Sequence, residues 1–276
     1  MTSQFYPHTP LRVVFCTCPS IYSDIVLQEL IRSPHLELAG VVASTRILRK
    51  KGWGWWDVVL LLRRTGVRYA VYLWLVTSLY TLLRRLFHCD EVGKFLARKR
   101  VPVVHTRNVN SSDGIAFVRA CKPDLMLSAH FNQLIGPELL ALPPEGCLNI
   151  HPGHLPEYRG VDPVIHALAR EEKQVGVTVH FQDPGFDTGP VVVAGSLPVQ
   201  GEDNLLSLNC KLFRHGICLL LDIIAATGII PEGTHQDRSD NYDSWPNTAV
   251  VRNLRNSGRK LLDFPSFLAR SRSNSV

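Results

Sequence analysis

No stretch of this 276-residue chain offers the roughly 20 consecutive apolar residues that a membrane-spanning helix needs. The charge-free run over residues 69–83 stops at 15. Residues 1–15 carry no long apolar segment and no cleavage pattern, so no secretory leader is expected. Seven cysteines, an odd number without regular spacing, exclude a disulfide framework and suit reduced thiols in a cytoplasm. Cys16 and Cys18 form a CxC pair too sparse for zinc, so no metal is expected and core packing is the better reading. There is no internal repeat and no long low-complexity segment, which removes solenoid and disordered classes. What remains is a cytoplasmic globular protein, 45% hydrophobic and large enough for one α/β domain with attachments.

Acidic residues are scarce in one place. Residues 46–100 hold thirteen Lys and Arg against three Asp and Glu, so this segment is +10 within a chain of +6. The 15-residue run lies inside it, flanked by Arg63, Arg64, Arg68, Arg84 and Arg85 and preceded by Trp53, Trp55 and Trp56. Three readings fit: helices packed on the rest of the chain, a homodimer interface, or peripheral contact with a membrane surface. The charge also suits steering of a polyanionic substrate. One or two helices are expected over residues 58–85.

Elsewhere the pattern alternates. Strands are predicted near 11–16, 37–44, 101–105, 124–130, 147–151, 175–182 and 190–199, and helices near 22–33, 112–121, 161–172 and 204–227. Such alternation predicts an α/β fold, a mainly parallel sheet with helices on both faces, interrupted by the basic, apolar helical insertion. The last long helix is well punctuated, with Asp203 or Asn204 as its cap and Gly228 with Pro231 as its stop. The first strand runs into Thr17, Cys18, Pro19 and Ser20 before a helix, a phosphate-cradling layout. That loop has no glycine, so its amides cannot wrap a phosphate closely.

The chemistry gathers between residues 149 and 189. Asn149 and His151 are two apart at the end of an apolar run, in NIHPGHLPEYRG, so on a strand they leave the same face. Asp187 follows inside HFQDPGFDTGP. Prolines and glycines around both strings force loops where reactive side chains commonly sit. Amide, imidazole and carboxylate together suit a carbonyl that becomes tetrahedral and negative. A lone Asn-x-His is far more often a satisfied polar pair, but this one sits among other ordered strings. Cys147 shares the face of Asn149 and reads as a small buried hydrophobe.

Those strings, from Asp124 through LMLSAHFNQLIGPELL, NIHPGHLPEYRG, VGVTVHF and DPGFDTGP, resemble the formyltransferases that use 10-formyltetrahydrofolate. That family includes methionyl-tRNA, glycinamide-ribonucleotide and amino-sugar formyltransferases. The resemblance is clear over residues 101–200, weaker over 11–44, and absent from the insertion. It implies a Rossmann-like catalytic domain, with residues 1–230 as that domain and 231–276 as a C-terminal extension. It places the catalytic residues on Asn149, His151 and Asp187. Asn149 and His151 are then donors to the oxyanion, and Asp187 is charge partner and proton relay. It implies that Asn132, Gln133, Leu134 and Ile135, with Asp183, Pro184, Gly185 and Phe186, bind the folate. His180 matches a family histidine near the site.

Departures from the family pattern bear on the acceptor. His154 adds a titratable group beside the site, and Asp162 places an acid where tRNA-specific relatives carry a small apolar residue. Asp162 suits a cationic amine or a helix N-cap ahead of Pro163. The glycine-free first loop argues against glycinamide ribonucleotide. The tail after Glu232 is too short for the barrel with which tRNA-specific relatives grip their substrate. The expected partner is a small-molecule amine, an amino sugar or sugar nucleotide first, and not tRNA. Two alternatives stand beside it: a 10-formyltetrahydrofolate hydrolase, and a non-catalytic basic module binding nucleic acid or anionic membrane.

Overall fold

The structure is a computed structural model that describes residues 9–47, 54–237 and 241–273. Trp53 and the first eight residues lie outside the described set. The elements in chain order begin with β1 (Leu11–Thr17), α1 (Ile21–Arg32) and β2 (Leu36–Ser44). The insertion follows: α2 (Gly54–Thr65), α3 (Val67–Trp74), a π-helical turn (Leu75–Leu79), α4 (Tyr80–Leu86) and α5 (Glu91–Lys99). Then come β3 (Val103–Thr106), α6 (Ser112–Cys121), β4 (Leu125–Ala129), α7 (Pro137–Leu140) and β5 (Cys147–His151). The remainder is α8 (Pro163–Ala169), β6 (Gln174–Phe181), β7 (Val191–Pro198), α9 (Leu205–Thr227), α10 (Thr248–Asn256) and α11 (Phe264–Arg272).

The strands form one seven-stranded sheet in the order β3-β2-β1-β4-β5-β6-β7. The pairs from β3 through β5 are parallel, and β6 and β7 are antiparallel additions. β1 and β4 are apolar almost throughout and buried, the pattern of strands covered on both faces. One face packs on α1 and α9, through side chains such as Phe15, Ile25, Leu148 and Ile217. The other packs on α6 and α7, through Val14, Val42, Val118 and Leu139. Sequential order reverses at β1, between β2 and β4, and crevices beyond the carboxyl ends at such points are where open α/β sheets bind ligands.

Local signals account for the helix ends. Ser20 and Ser23 form a capping box on α1, and Asn204 and Ser207 form another on α9. Gly228 closes α9 in the left-handed conformation, φ 72°. Asp203 is not the cap; its carboxylate accepts from Lys211 Nζ at 2.6 Å.

The insertion packs on the domain through an unexpected stripe. Tyr69, Tyr72, Val76, Tyr80 and Arg84 are buried, while most of its leucines are not. These five positions span 15 residues, overshooting four α-helical turns by about 60°, and the wider π turn absorbs the drift. Tyr72 and Tyr22 share a hydroxyl–hydroxyl hydrogen bond, and Tyr80 donates to Asp24 Oδ2 at 3.0 Å. Arg84 lies 3.7 Å from the same carboxylate and donates to the Ser273 carbonyl. In α2, fully buried Asp57 pairs with Arg107 at 2.9 Å. The packed reading therefore describes one face only. Val71, Trp74, Leu82 and Leu86 stand on the other face, each about half exposed or more. No helix among the described residues is long and apolar enough to cross a membrane.

The tail holds two helices that its polar composition does not announce. Val251 and Leu254 of α10 and Phe267 of α11 join the main core. α10 packs on α8 and α11 on α4.

Candidate active site

Three side chains stand in a row across the sheet. Ser128 on β4 pairs in register with Asn149 on β5, which pairs in register with His180 on β6. Ser128 Oγ donates to Asn149 Oδ1 at 2.8 Å. Asn149 Nδ2 then lies 3.2 Å from His180 Nε2. His180 Nδ1 faces the Phe181 carbonyl at 2.8 Å and must donate to it, so Nε2 is the acceptor for Asn149. Burial first, and neighbouring His151 as well, push the His180 pKa down to about 4 against the pull of Asp187. His180 is therefore a neutral buttress at neutral pH, and Asn149 keeps its second N–H.

His151 ends β5 and is 4% exposed. Its Nε2 lies 2.7 Å from the Tyr158 carbonyl, which can only accept. The nitrogen left for chemistry is Nδ1, 3.7 Å from Asp187 Oδ1. The same oxygen is 3.7 Å from His180 Nε2. These are ion-pair distances rather than hydrogen bonds. Asp187 Oδ2 accepts from the Gly160 amide at 3.0 Å, and its residue adopts φ 54°, a left-handed conformation that aspartate tolerates. Gln236, from beyond α9, donates to the carbonyls of Asp187 at 3.1 Å and Gly189 at 2.7 Å. Gln236 thus holds the loop that carries the carboxylate.

A cavity of about 1270 Å³ opens beside this row, lined by Asn149, His151, Asp187, His180, Asp162 and Cys18 among others. Asn132, Gln133, Leu134, Asp183, Gly185 and Phe186 line it too. Within the loop after β6, Asp183 Oδ1 accepts from Gly185 N at 3.0 Å and Thr188 Oγ1 at 2.6 Å, forming a tight turn. Gln133 contributes structure more than a free side chain. Its amide bonds Ser44 Oγ, the Val109 amide and Arg46, at 2.7, 2.8 and 3.0 Å.

Some expected residues are elsewhere. Ile135 is 3% exposed in the core under α6 and α7, because the chain turns inward after Leu134. Pro184 is not among the residues lining the cavity. His154 is not at the cavity either; its Nε2 faces Ser196 Oγ of β7 at 3.1 Å, over Gly176, whose lack of a Cβ makes room for the ring. Asp162 does line the cavity and stands at the N-cap of α8, but its side chain makes no capping bond. It accepts instead from Tyr69 at 2.7 Å and Asn209 at 3.3 Å, and burial, its largest cause, raises its pKa. Ser128, Tyr158, Tyr69 and Gln236 escaped the sequence reading. Only Ser128 carried a usable signal, since alternation on neighbouring parallel strands puts it on Asn149's face.

The first loop behaves as its composition suggests. The amide of Ser23 and that of Ser20 are engaged in the α1 capping box, so fewer donors remain for a phosphate.

The comparisons agree on class. Residues 87–223 match the Formyl transferase family. Methionyl-tRNA formyltransferase of Kosmotoga olearia is 33% identical over 124 residues, 45% of this chain and 40% of that protein. The Trichlorobacter lovleyi methionyl-tRNA formyltransferase is 32% identical over 151 residues, 54% of this chain and 48% of that one. The chain thus spans less than half the length of these curated relatives. Among solved structures, glycinamide ribonucleotide transformylase 1 from Symbiobacterium toebii aligns with TM-score 0.55, at 19% identity, over 86% of this chain and 99% of that one. A sugar N-formyltransferase from a Shewanella species aligns with TM-score 0.54, at 14% identity, over 90% of this chain and 87% of that one. Fold and sequence together define a Rossmann-like α/β protein. The chain matches the formyltransferase family over residues 87–223, just under half of its length.

Proposed function

We propose that this protein moves a formyl group from 10-formyltetrahydrofolate to an amine of a small molecule, with an amino sugar or sugar nucleotide as the favoured acceptor class. The observation that carries the reading is the Ser128–Asn149–His180 row, with His151 Nδ1 and Asp187 at the edge of one cavity. The amine lone pair attacks the formyl carbon, and the carbonyl oxygen becomes an oxyanion. Asn149 supplies a pre-oriented N–H to that charge, commonly the largest catalytic term.

His151 takes a different part from the one expected of it. Its Nε2–H is committed to Tyr158, so neutral His151 presents a lone pair at Nδ1 and is placed to receive the amine proton. Asp187, 3.7 Å away, favours the imidazolium that results. The tetrahedral oxyanion then collapses, the bond to folate N10 breaks, and the proton passes from His151 to that departing nitrogen. Imidazolium can also donate to the oxyanion during this exchange.

The loops around Asn132, Gln133 and Leu134, with Asp183, Gly185 and Phe186, suit the donor. Buried Gln182 Oε1, from a cavity-lining residue, has no hydrogen-bond partner among the described residues, and the donor edge of a pteridine would satisfy it. Incubating the protein with formyl-labelled donor and a panel of amines tests the proposal. Label should appear in an N-formyl product, in equal amount with tetrahydrofolate. Rapid label release as formate in the absence of any amine would point to the hydrolase instead.

A further inference from the structure

The cavity has to hold the folate donor as well as an acceptor, so its lining says more about the acceptor than its size does. Cys18 and Tyr22 line it, and so do Val71, Trp74, Ser78, Leu82 and Arg85 along the exposed side of the α3–π–α4 helix. From Val71 to Arg85 the trough follows the helix for about 20 Å at 1.5 Å per residue. Val58 and Leu62 of α2 line it as well. Thr77 and Thr81 also line it, but their hydroxyls donate to the Leu73 and Thr77 carbonyls at 2.6 and 2.8 Å. That leaves methyl groups as their free surface. One end of the cavity is thus polar and chemical, and the other is a long apolar trough.

Two arginines mark the trough. Arg64 and Arg85 line the cavity and are exposed, and among the described residues no carboxylate lies within ion-pair distance of either. Val71, Trp74 and Leu82 are 45%, 52% and 51% exposed, more apolar surface than a monomer in water ordinarily leaves on one helix. An occupant matching all of this carries an amine at one end, a negative linkage, and a hydrocarbon chain. The trough's length exceeds one leaflet of a bilayer's hydrocarbon core, about 15 Å.

Building on the formyl-transfer reading, the geometry points to an amine carried on an anionic amphiphile as the acceptor, its head at Asn149 and His151 and its chain along the α3–α4 trough. The insertion then serves as the acceptor's lipid-binding wall. Its buried tyrosines fasten it to the catalytic domain through Asp162 and Tyr22, so the trough and the reactive row keep one fixed spacing.

The test uses the full chain and alkyl esters of phosphoethanolamine with butyl, octyl and dodecyl chains, below micelle-forming concentrations. Binding is followed by tryptophan fluorescence and formyl transfer by labelled donor. The dissociation constant should fall about two-fold per methylene, the value for half burial, so about 10²-fold from butyl to dodecyl. Trp74→Glu with Leu82→Glu should flatten that dependence, and the milder Trp74→Ala with Leu82→Ala should halve it on a logarithmic scale. Arg64→Gln should weaken all three esters alike and leave simple alkylamines unaffected. Equal affinity across the chain lengths, with transfer to soluble amino sugars intact, overturns the amphiphile while the formyl-transfer reading stands. Chain-length-dependent binding without transfer to any amine overturns the formyl-transfer reading and the acceptor role with it. A stable dimer that Trp74→Glu dissociates, with no chain-length dependence, gives the face to a second copy of the chain and overturns the proposal.

Discussion

Replacing Ser128 by alanine isolates a single hydrogen bond in the proposed mechanism. Ser128 is 1% exposed, and its hydroxyl holds Asn149 Oδ1 at 2.8 Å. Without it, the amide loses one of the two partners that keep its N–H where the reaction needs it. One restraint remains: a flipped amide would set its oxygen against His180 Nε2, an acceptor facing an acceptor. The lost bond is neutral and worth about 1 kcal/mol net, so kcat should fall about five-fold. Asn149→Ala, which removes the donor outright, should cost about 10²–10³ in kcat. The two effects share one cause, so Ser128→Ala should add almost nothing in the Asn149→Ala background. The assay is steady-state release of tetrahydrofolate with saturating amine for all four proteins. Additive losses, or an unchanged kcat in Ser128→Ala with a folded protein, would refute the idea that Ser128 acts by orienting Asn149.

Asp187→Asn should lower kcat at least as far as Asn149→Ala, because it removes the partner that favours imidazolium at His151; near-normal turnover would contradict this. Tyr69→Phe leaves the Asp162 carboxylate short of its 2.7 Å donor, and chemical denaturation should show a loss of about 1–3 kcal/mol. Folded-state pKa values near 4 for His180 and His130, both depressed chiefly by burial, mean that the unfolded chain binds more protons between about 4 and 6.5. Stability from these two groups is therefore present above their ordinary pKa and lost as pH falls toward 4. Asp24, raised to about 6 by burial, acts with the opposite sign: it costs stability as pH rises from its ordinary value toward 6. Thermal melts of His180→Gln and Asp24→Asn across this window should change the slope in opposite directions. Reduced folate at about 100 times its dissociation constant should add about 2.7 kcal/mol of stability, and an unmoved melting temperature would count against the donor site.

The sheet was legible in the sequence because its strands are short apolar runs between clear breakers. All seven predicted strands match β1 through β7 closely, and the capping residues of α9 behave as their types suggest. The triad's convergence was legible from the two-residue spacing of Asn149 and His151 and from the resemblance. Roles set by tertiary partners were not. Nothing in the string NIH tells that His151 Nε2 is consumed by the Tyr158 carbonyl, seven residues on. His154 was misplaced because it sits beside the site in sequence, while the room left by Gly176 draws it to β7. Asp162 fits both a cap and a binding acid by composition, and only the insertion's Tyr69 decides its partner. The insertion's helices and their packing on the domain were expected from its length and charge, but not which face they bury. Tyrosines with hydroxyl partners and one arginine take that face and leave Trp74 and Leu82 outside. Deleting residues 53–88 would therefore strip Tyr72 and Tyr80 from the core as well as remove the trough.

Transfer itself is the most direct test. The purified protein is given donor labelled in the formyl carbon, with and without amines that include amino sugars and the phosphoethanolamine esters. The account predicts amine-dependent turnover, with one label in an N-formyl product for each tetrahydrofolate released and a loss of about 10²–10³ in Asn149→Ala. Label appearing as formate at the same rate without amine, or no folate turnover with any amine, would contradict it.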